Sequence, residues 1–183
     1  MSRLTIHAES DPGTALSSTA DAGEIAAGLA EIGVAFERWQ VGATLPNDAD
    51  DAAVLAAYAE DVERLKAAGG YRAVDVVRLT PDNPAAPELR GKFLAEHTHA
   101  DDEVRFFVEG AAQFYLHKAG KVFMVVCEAG DLISVPAGTP HWFDMGPRPH
   151  FTALRLFVSP AGWVAHFTGA SIAETFPKFE LAA

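Results

Sequence analysis

Three histidines and one glutamate carry the strongest chemical signal in this chain. His97 and His99 stand two positions apart. On an extended segment alternate side chains share a face, so both imidazoles can chelate one ion while Thr98 points away. A short Ala100-Asp101-Asp102 turn can then return the carboxylate of Glu103 to the same ion. His141 follows the turn-forming run Pro136-Ala137-Gly138-Thr139-Pro140, which can aim its ring inward. Three imidazoles with one carboxylate suit iron, nickel, manganese, copper or zinc. A six-coordinate ion in that set keeps positions open for a substrate or for dioxygen. His-x-His pairs also occur by chance on surfaces, so the assignment rests on all four residues and their context.

Arg105 lies two residues beyond Glu103 and shares its face if the segment is extended. A guanidinium flanked by Val104, Phe106 and Phe107 is costly to bury without an anion. That anion is either a bound substrate or a protein carboxylate, Glu109 or Asp102. Arg155 is a second, weaker choice. Phe93, Phe143 and Trp163 could wall a pocket for an apolar or sulfur-bearing group, although aromatic residues are more often plain core. His7, His117, His150 and His166 lack ligand spacing to the cluster and read as surface or hydrogen-bonded histidines. The lone Cys127 sits inside Val122-Phe123-Met124-Val125-Val126-Cys127, which suits a buried structural thiol.

The elements that must position these groups divide unevenly along the chain. From Asp21 to Gly33, Ile25, Leu29 and Ile32 share a helical face, with Asp21 and Glu24 as a capping box. From about Asp50 to Ala68 a longer helix is expected, its stripe being Val54, Leu55, Tyr58, Val62 and Leu65, stopped by Gly69-Gly70. Beyond this the pattern turns to strands: Val74–Leu79, Phe93–His97, Val104–Val108, Gln113–His117, Val122–Cys127, Leu132–Val135 and Phe151–Val158. Pro81, Pro84 and Pro87 mark a connection that a helix could not continue through. Short strands punctuated by glycine predict a barrel or sandwich.

At 183 residues and 49% hydrophobic content, the chain has the size of one domain. Its formal charge of -11 repels nucleic acid and anionic membrane surfaces, so neither is expected as a partner. The N-terminus lacks a basic start followed by an apolar stretch, and no segment approaches bilayer-spanning length, which predicts a cytoplasmic protein.

Nine positions match the spacing of the two cupin motifs. The first is Gly91, five residues, His97-x-His99, three residues, Glu103, six residues, Gly110; the second is Gly130, five residues, Pro136-x-Gly138, two residues, His141. Met145 departs from the usual asparagine of the second motif, at a position that is not a metal ligand. The resemblance implies a mainly β, cupin double-stranded β-helix barrel of jelly-roll type with N-terminal helices packed outside. The expected layout is one domain: a mixed α/β decoration over about 1–72, a barrel with the metal site over about 73–168, and a tail over 169–183. Cupins include isomerases, storage proteins and sensors as well as oxygenases, so this alone sets no reaction.

A narrower resemblance follows from residues 96–110, EHTHADDEVRFFVEG, and residues 135–144, VPAGTPHWFD, which closely resemble the acireductone dioxygenase family. That resemblance implies an enzyme of methionine salvage that splits a methylthio-substituted enediol ketone with dioxygen. It implies one Fe(II) or Ni(II) per chain on His97, His99, Glu103 and His141. With iron the products are formate and the ketoacid precursor of methionine; with nickel they are formate, carbon monoxide and methylthiopropionate. It assigns Arg105 to stabilising the substrate dianion, Glu96 to metal incorporation and Asp102 to a conformational relay, in a monomer. The rival expectations are another metal cupin enzyme, an isomerase or small-substrate dioxygenase, and a non-catalytic metal-binding cupin.

Overall fold

The computed structural model describes residues 1–42, 45–46, 49–159 and 163–180. In chain order the elements are β1 (Arg3–Ala8), β2 (Asp11–Thr19), α1 (Ala22–Ala30), β3 (Ala35–Arg38), α2 (Asp51–Ala57), α3 (Ala59–Gly69), β4 (Ala73–Leu79) and α4 (Ala86–Phe93). They continue with β5 (His97–Thr98), β6 (Glu103–Lys118), β7 (Lys121–Glu128), β8 (Asp131–Val135), β9 (His141–Asp144), β10 (His150–Phe157), β11 (His166–Phe167) and α5 (Ile172–Thr175). The tail expected over 169–183 lies partly, at 181–183, outside the described residues.

β6 organises the barrel. Its first half pairs with β8 and β10, and its second half with β7 and β9. One path runs β11-β5-β9-β6-β7-β1-β2, while β4 lies outside β10 and β3 outside β8. A single long strand serving both halves makes the antiparallel sheet curl over itself, which gives the mainly β cupin fold expected above. Phe107, Phe114, Phe123, Ile133, Phe143 and Phe151 fill the main core, where α1 adds Ile25 and Leu29. Val54, Tyr58, Val62 and Leu65 seal a second cluster over Val104, Phe106, Leu154 and Leu156. No helix among the described residues is long and apolar enough to cross a membrane.

Four local expectations need correction. The helix expected from about Asp50 to Ala68 is broken at Tyr58, whose backbone (φ -116°, ψ 23°) ends α2 before α3 begins. Tyr58 is buried edge-on against Phe106, with ring centroids 5.8 Å apart, so tertiary packing overrides the continuous stripe. The segment read as a strand from Phe93 to His97 is instead the end of α4 and a turn, and only His97–Thr98 is extended. Pro87 lies in the first turn of α4, where a missing N–H costs nothing, so this proline starts a helix rather than barring one.

The two strands read around Gly110 are one, β6. Gly110 has φ +65°, and a Cβ there would lie 1.8 Å from the carbonyl oxygen of His150. The glycine bends the strand and admits β10 at close range without ending the pairing. The N-terminal segment contributes strands to the same sheet. β1 inserts into the sheet between β7 and β2, and β3 pairs with β8. Of the capping box, Asp21 Oδ1 does accept the Glu24 N–H at 2.9 Å, but the Glu24 carboxylate takes the Thr19 hydroxyl, and Thr19 in turn accepts the Asp21 N–H.

Candidate metal centre

Three strands bring the cluster together. His97 begins β5, His99 follows it, Glu103 begins β6 and His141 begins β9. His97 and His141 are register partners across β5 and β9. All four residues are buried, and their ligand atoms lie within 4.8 Å of one another.

The orientation of each ring is set by a backbone carbonyl. Nδ1 of His97 bonds Ala95 O at 2.7 Å, Nδ1 of His99 bonds Val164 O at 3.0 Å, and Nδ1 of His141 bonds Thr139 O at 2.7 Å. A carbonyl oxygen can only accept, so each Nδ1 carries the proton. In a neutral ring Nε2 then presents a lone pair to the centre, the arrangement of a metal-ligating imidazole. Glu103 Oε2 stands 3.0 Å from Nε2 of His141 and 3.1 Å from Nε2 of His99. Lone pairs and a carboxylate converging at this range need a cation between them, so the residues fit a divalent metal.

The electrostatics hold His97 and Glu103 in ligand-ready protonation states, while the carboxylate beside His99 favours a proton on that ring when no ion is bound. Burial, with help from the charge of His141, pulls His97 down to about 4, keeping it neutral. Burial would raise Glu103, but the charge of Arg105, with His141 and His99 beside it, prevails and holds it well below the usual carboxylate range. For His99 burial works downward, and the hydrogen bond and charge of Glu103 overcome it, leaving a net rise.

Arg105 is buried, and its Nε donates to Glu103 Oε1 at 2.8 Å. Its protein partner is therefore Glu103 of the cluster, not Glu109 or Asp102: the pleat of β6 puts Glu103, two residues away, beside it on one face, while Glu109 accepts from Thr152 and Asp102 from the Ala137 N–H. Its guanidinium carbon also lies 4.2 Å from the ring centre of Phe143. Together with His97, His99 and Glu103, it faces a cavity of about 320 Å³ walled by Phe93, Phe143, Trp163 and Phe167, with Arg155 and Lys92 also on its surface. The aromatic residues named from the sequence thus do meet at one cavity.

Glu96 and Asp102 stand beside the cluster rather than in it. The carboxylate of Glu96 accepts from Thr168 Oγ1 at 2.7 Å and contacts His117 Nδ1 at 2.7 Å, while His117 Nε2 reaches Glu9 at 2.8 Å. Asp102 Oδ1 accepts the Ala137 N–H at 2.9 Å, and Asp102 O accepts from Trp163 Nε1 at 3.0 Å. His7 packs edge-on to Phe176, His150 lies 3.5 Å from Glu109, and His166 is exposed on β11. None belongs to the ligand cluster. Cys127 is buried, and burial first, then the charge of Asp131, pushes its thiol well above the usual value, as befits a structural residue. Met145 is fully buried in the main core.

Sequence reasoning missed the carbonyls of Ala95, Thr139 and Val164, which have no side-chain signature. It also missed Asp75, the bidentate partner of Arg155, with contacts of 2.8 and 2.6 Å. Only the alignment of β4 with β10 could have disclosed it.

A curled antiparallel barrel holding an inward-facing set of three histidines and one glutamate defines a metal-binding cupin. A family model described as the ARD/ARD' family matches residues 3–165, and the chain belongs to that family. Among its relatives, an acireductone dioxygenase of Parvibaculum lavamentivorans is 63% identical over 180 residues, covering 98% of each chain. One from Serratia proteamaculans is 53% identical over 98% of this chain and 100% of the relative. The solved structure of an acireductone dioxygenase from Bacillus anthracis with cadmium ion in its active centre is 34% identical. It superposes with a TM-score of 0.79 over 91% of this chain and 98% of that chain.

Proposed function

We propose that the chain is an acireductone dioxygenase of methionine salvage, holding one Fe(II) or Ni(II) on His97, His99, Glu103 and His141. The observation that carries this reading is the bond from Arg105 to the ligand Glu103 at the wall of the cavity. A divalent ion there supplies chelation and charge compensation for an enediolate. Its two positive charges lose one to Glu103 and regain one from Arg105, while Arg155 is neutralised by Asp75. The remaining two positive charges match a substrate dianion.

Arg105 favours loss of the second substrate proton by stabilising the charged form. Phe93, Phe143 and Trp163 receive the thioether tail, and with Phe167 they exclude water from the reacting end. Asp102 joins the turn before His141 to the indole over the cavity, which supports its role as a relay. Glu96 ties His97's neighbourhood to His117 and Thr168, which supports a part in forming the metal site. The iron form is expected to yield formate and the ketoacid precursor of methionine, and the nickel form formate, carbon monoxide and methylthiopropionate. We take the chain as one domain, a cytoplasmic monomer without nucleic-acid or membrane partners.

The test is oxygen uptake by protein reconstituted separately with iron and nickel, given the acireductone, beside a His97→Ala control. Rapid uptake lost in the control, with carbon monoxide from the nickel form alone, is the expected result. Uptake no faster than the substrate's spontaneous oxidation would overturn the assignment.

A further inference from the structure

Arg155 on β10 and Arg105 on β6 are direct register partners, so their side chains stand on the same face of the sheet, and both line the cavity. Like charges placed opposite one another across two strands repel, and the repulsion grows as water is removed. Each arginine has one carboxylate partner. Arg105 holds Glu103, and Arg155 holds Asp75, itself the register partner of Arg155 on β4. Trp163 is shared by both, with its ring centre 5.7 Å from the Arg105 guanidinium and 5.6 Å from that of Arg155. Both guanidiniums face a cavity whose walls include Phe93, Phe143, Trp163 and Phe167.

We propose that Arg155 is a second anion-positioning arm of this cavity, acting with Arg105 on a planar vicinal oxyanion such as an enediolate, and that Asp75 sets its strength. Arg155 is only partly buried, and its pair with the half-exposed Asp75 can exchange one guanidinium edge for a ligand oxygen. A guanidinium offers five donors in a fixed plane, so it can hold a carboxylate and an incoming oxyanion together. The proposal rests on the reading of this cavity as the substrate site. It adds that anion affinity is shared between two strands, β6 and β10, rather than resting on β6 alone.

The experiment is calorimetric titration of oxalate, a redox-inert vicinal dianion, into the zinc-loaded protein and its R155Q, R155K and D75N variants, with His97→Ala as the metal-site control. R155Q is expected to weaken oxalate by about tenfold or more, the scale of one charge-assisted hydrogen bond, with R155K recovering part of the loss. D75N is expected to tighten oxalate, because it frees a guanidinium edge and removes a competing charge. A merely structural ion pair between β4 and β10 would move R155Q and D75N in the same direction, and that result, or no change in either, overturns the proposal. Oxalate binding that needs His97 but ignores Arg155 and Asp75 would sink the second arm while leaving the cavity reading standing. Failure of the unaltered protein to bind oxalate would remove both.

Discussion

His97 on β5 and His141 on β9 face each other as paired residues, with ring centroids 4.5 Å apart. This pairing joins the first motif to the second, so the metal centre forms only when the two strands align. Replacing His97 or His141 by alanine should lower metal affinity by more than about a hundredfold, beyond the effect of losing an outer-shell partner. Metal content after dialysis against a competing chelator measures this, and full retention in either variant would remove that residue from the ligand set.

Arg105 has a separable role. Arg105→Gln leaves Glu103 buried without its cation, so the metal-free variant should lose about 3 kcal/mol or more of stability. The loaded variant should keep its metal but show an acidic limb of kcat/KM displaced to higher pH, because the substrate's second ionisation is no longer favoured. A pH–rate profile identical to that of the unaltered enzyme would contradict the role.

His117 should make stability pH-dependent. Burial lowers its pKa, but bonds to Glu9 and Glu96 overcome this and leave it raised in the folded chain. A group with a raised folded pKa binds protons more tightly when folded. Its contribution is therefore fully present below the unfolded histidine value of about 6.5 and is lost as pH rises through the folded value. Melting temperature followed from mildly acidic to alkaline pH should show this decline, and His117→Gln should flatten it.

Asp144 is the polar anchor of the far end of β9. Its carboxylate, fully buried, takes Arg90 at 2.7 and 3.0 Å and the N–H groups of Gly146 and Phe179 at 2.9 Å each. Asp144→Ala strips four donors at once and should cost about 3–5 kcal/mol by denaturant titration. A loss below about 1 kcal/mol would show that water replaces the carboxylate.

Gly110→Ala tests the bend in β6. The left-handed backbone and the His150 carbonyl together forbid a Cβ, so the variant should lose more than about 2 kcal/mol. Denaturant titration measures this, and a loss below about 0.5 kcal/mol would show that β6 and β10 separate freely enough to admit the methyl group.

What the sequence determined by itself was the local chemistry. His97, His99 and Glu103 lie within seven residues, close enough for strand alternation and one turn to set their directions. His141 could be added because the turn before it has a recognisable composition, and the stripe from Val54 to Leu65 announced its buried face. The limits of elements were less legible. Gly110 bends a strand or ends one depending on whether β10 covers it, and Pro87 opens a helix or breaks one depending on where that helix begins.

The tertiary structure decided which distant groups meet. Val164 holds the ring of His99, Asp75 holds Arg155, and Arg155 faces Arg105. These contacts follow from the register of β4, β10 and β6, in which a slip of one residue would turn each arginine to the opposite face. Register is chosen by all the strands together through the core they enclose, and that is why no stretch of residues around Arg155 could declare its partner.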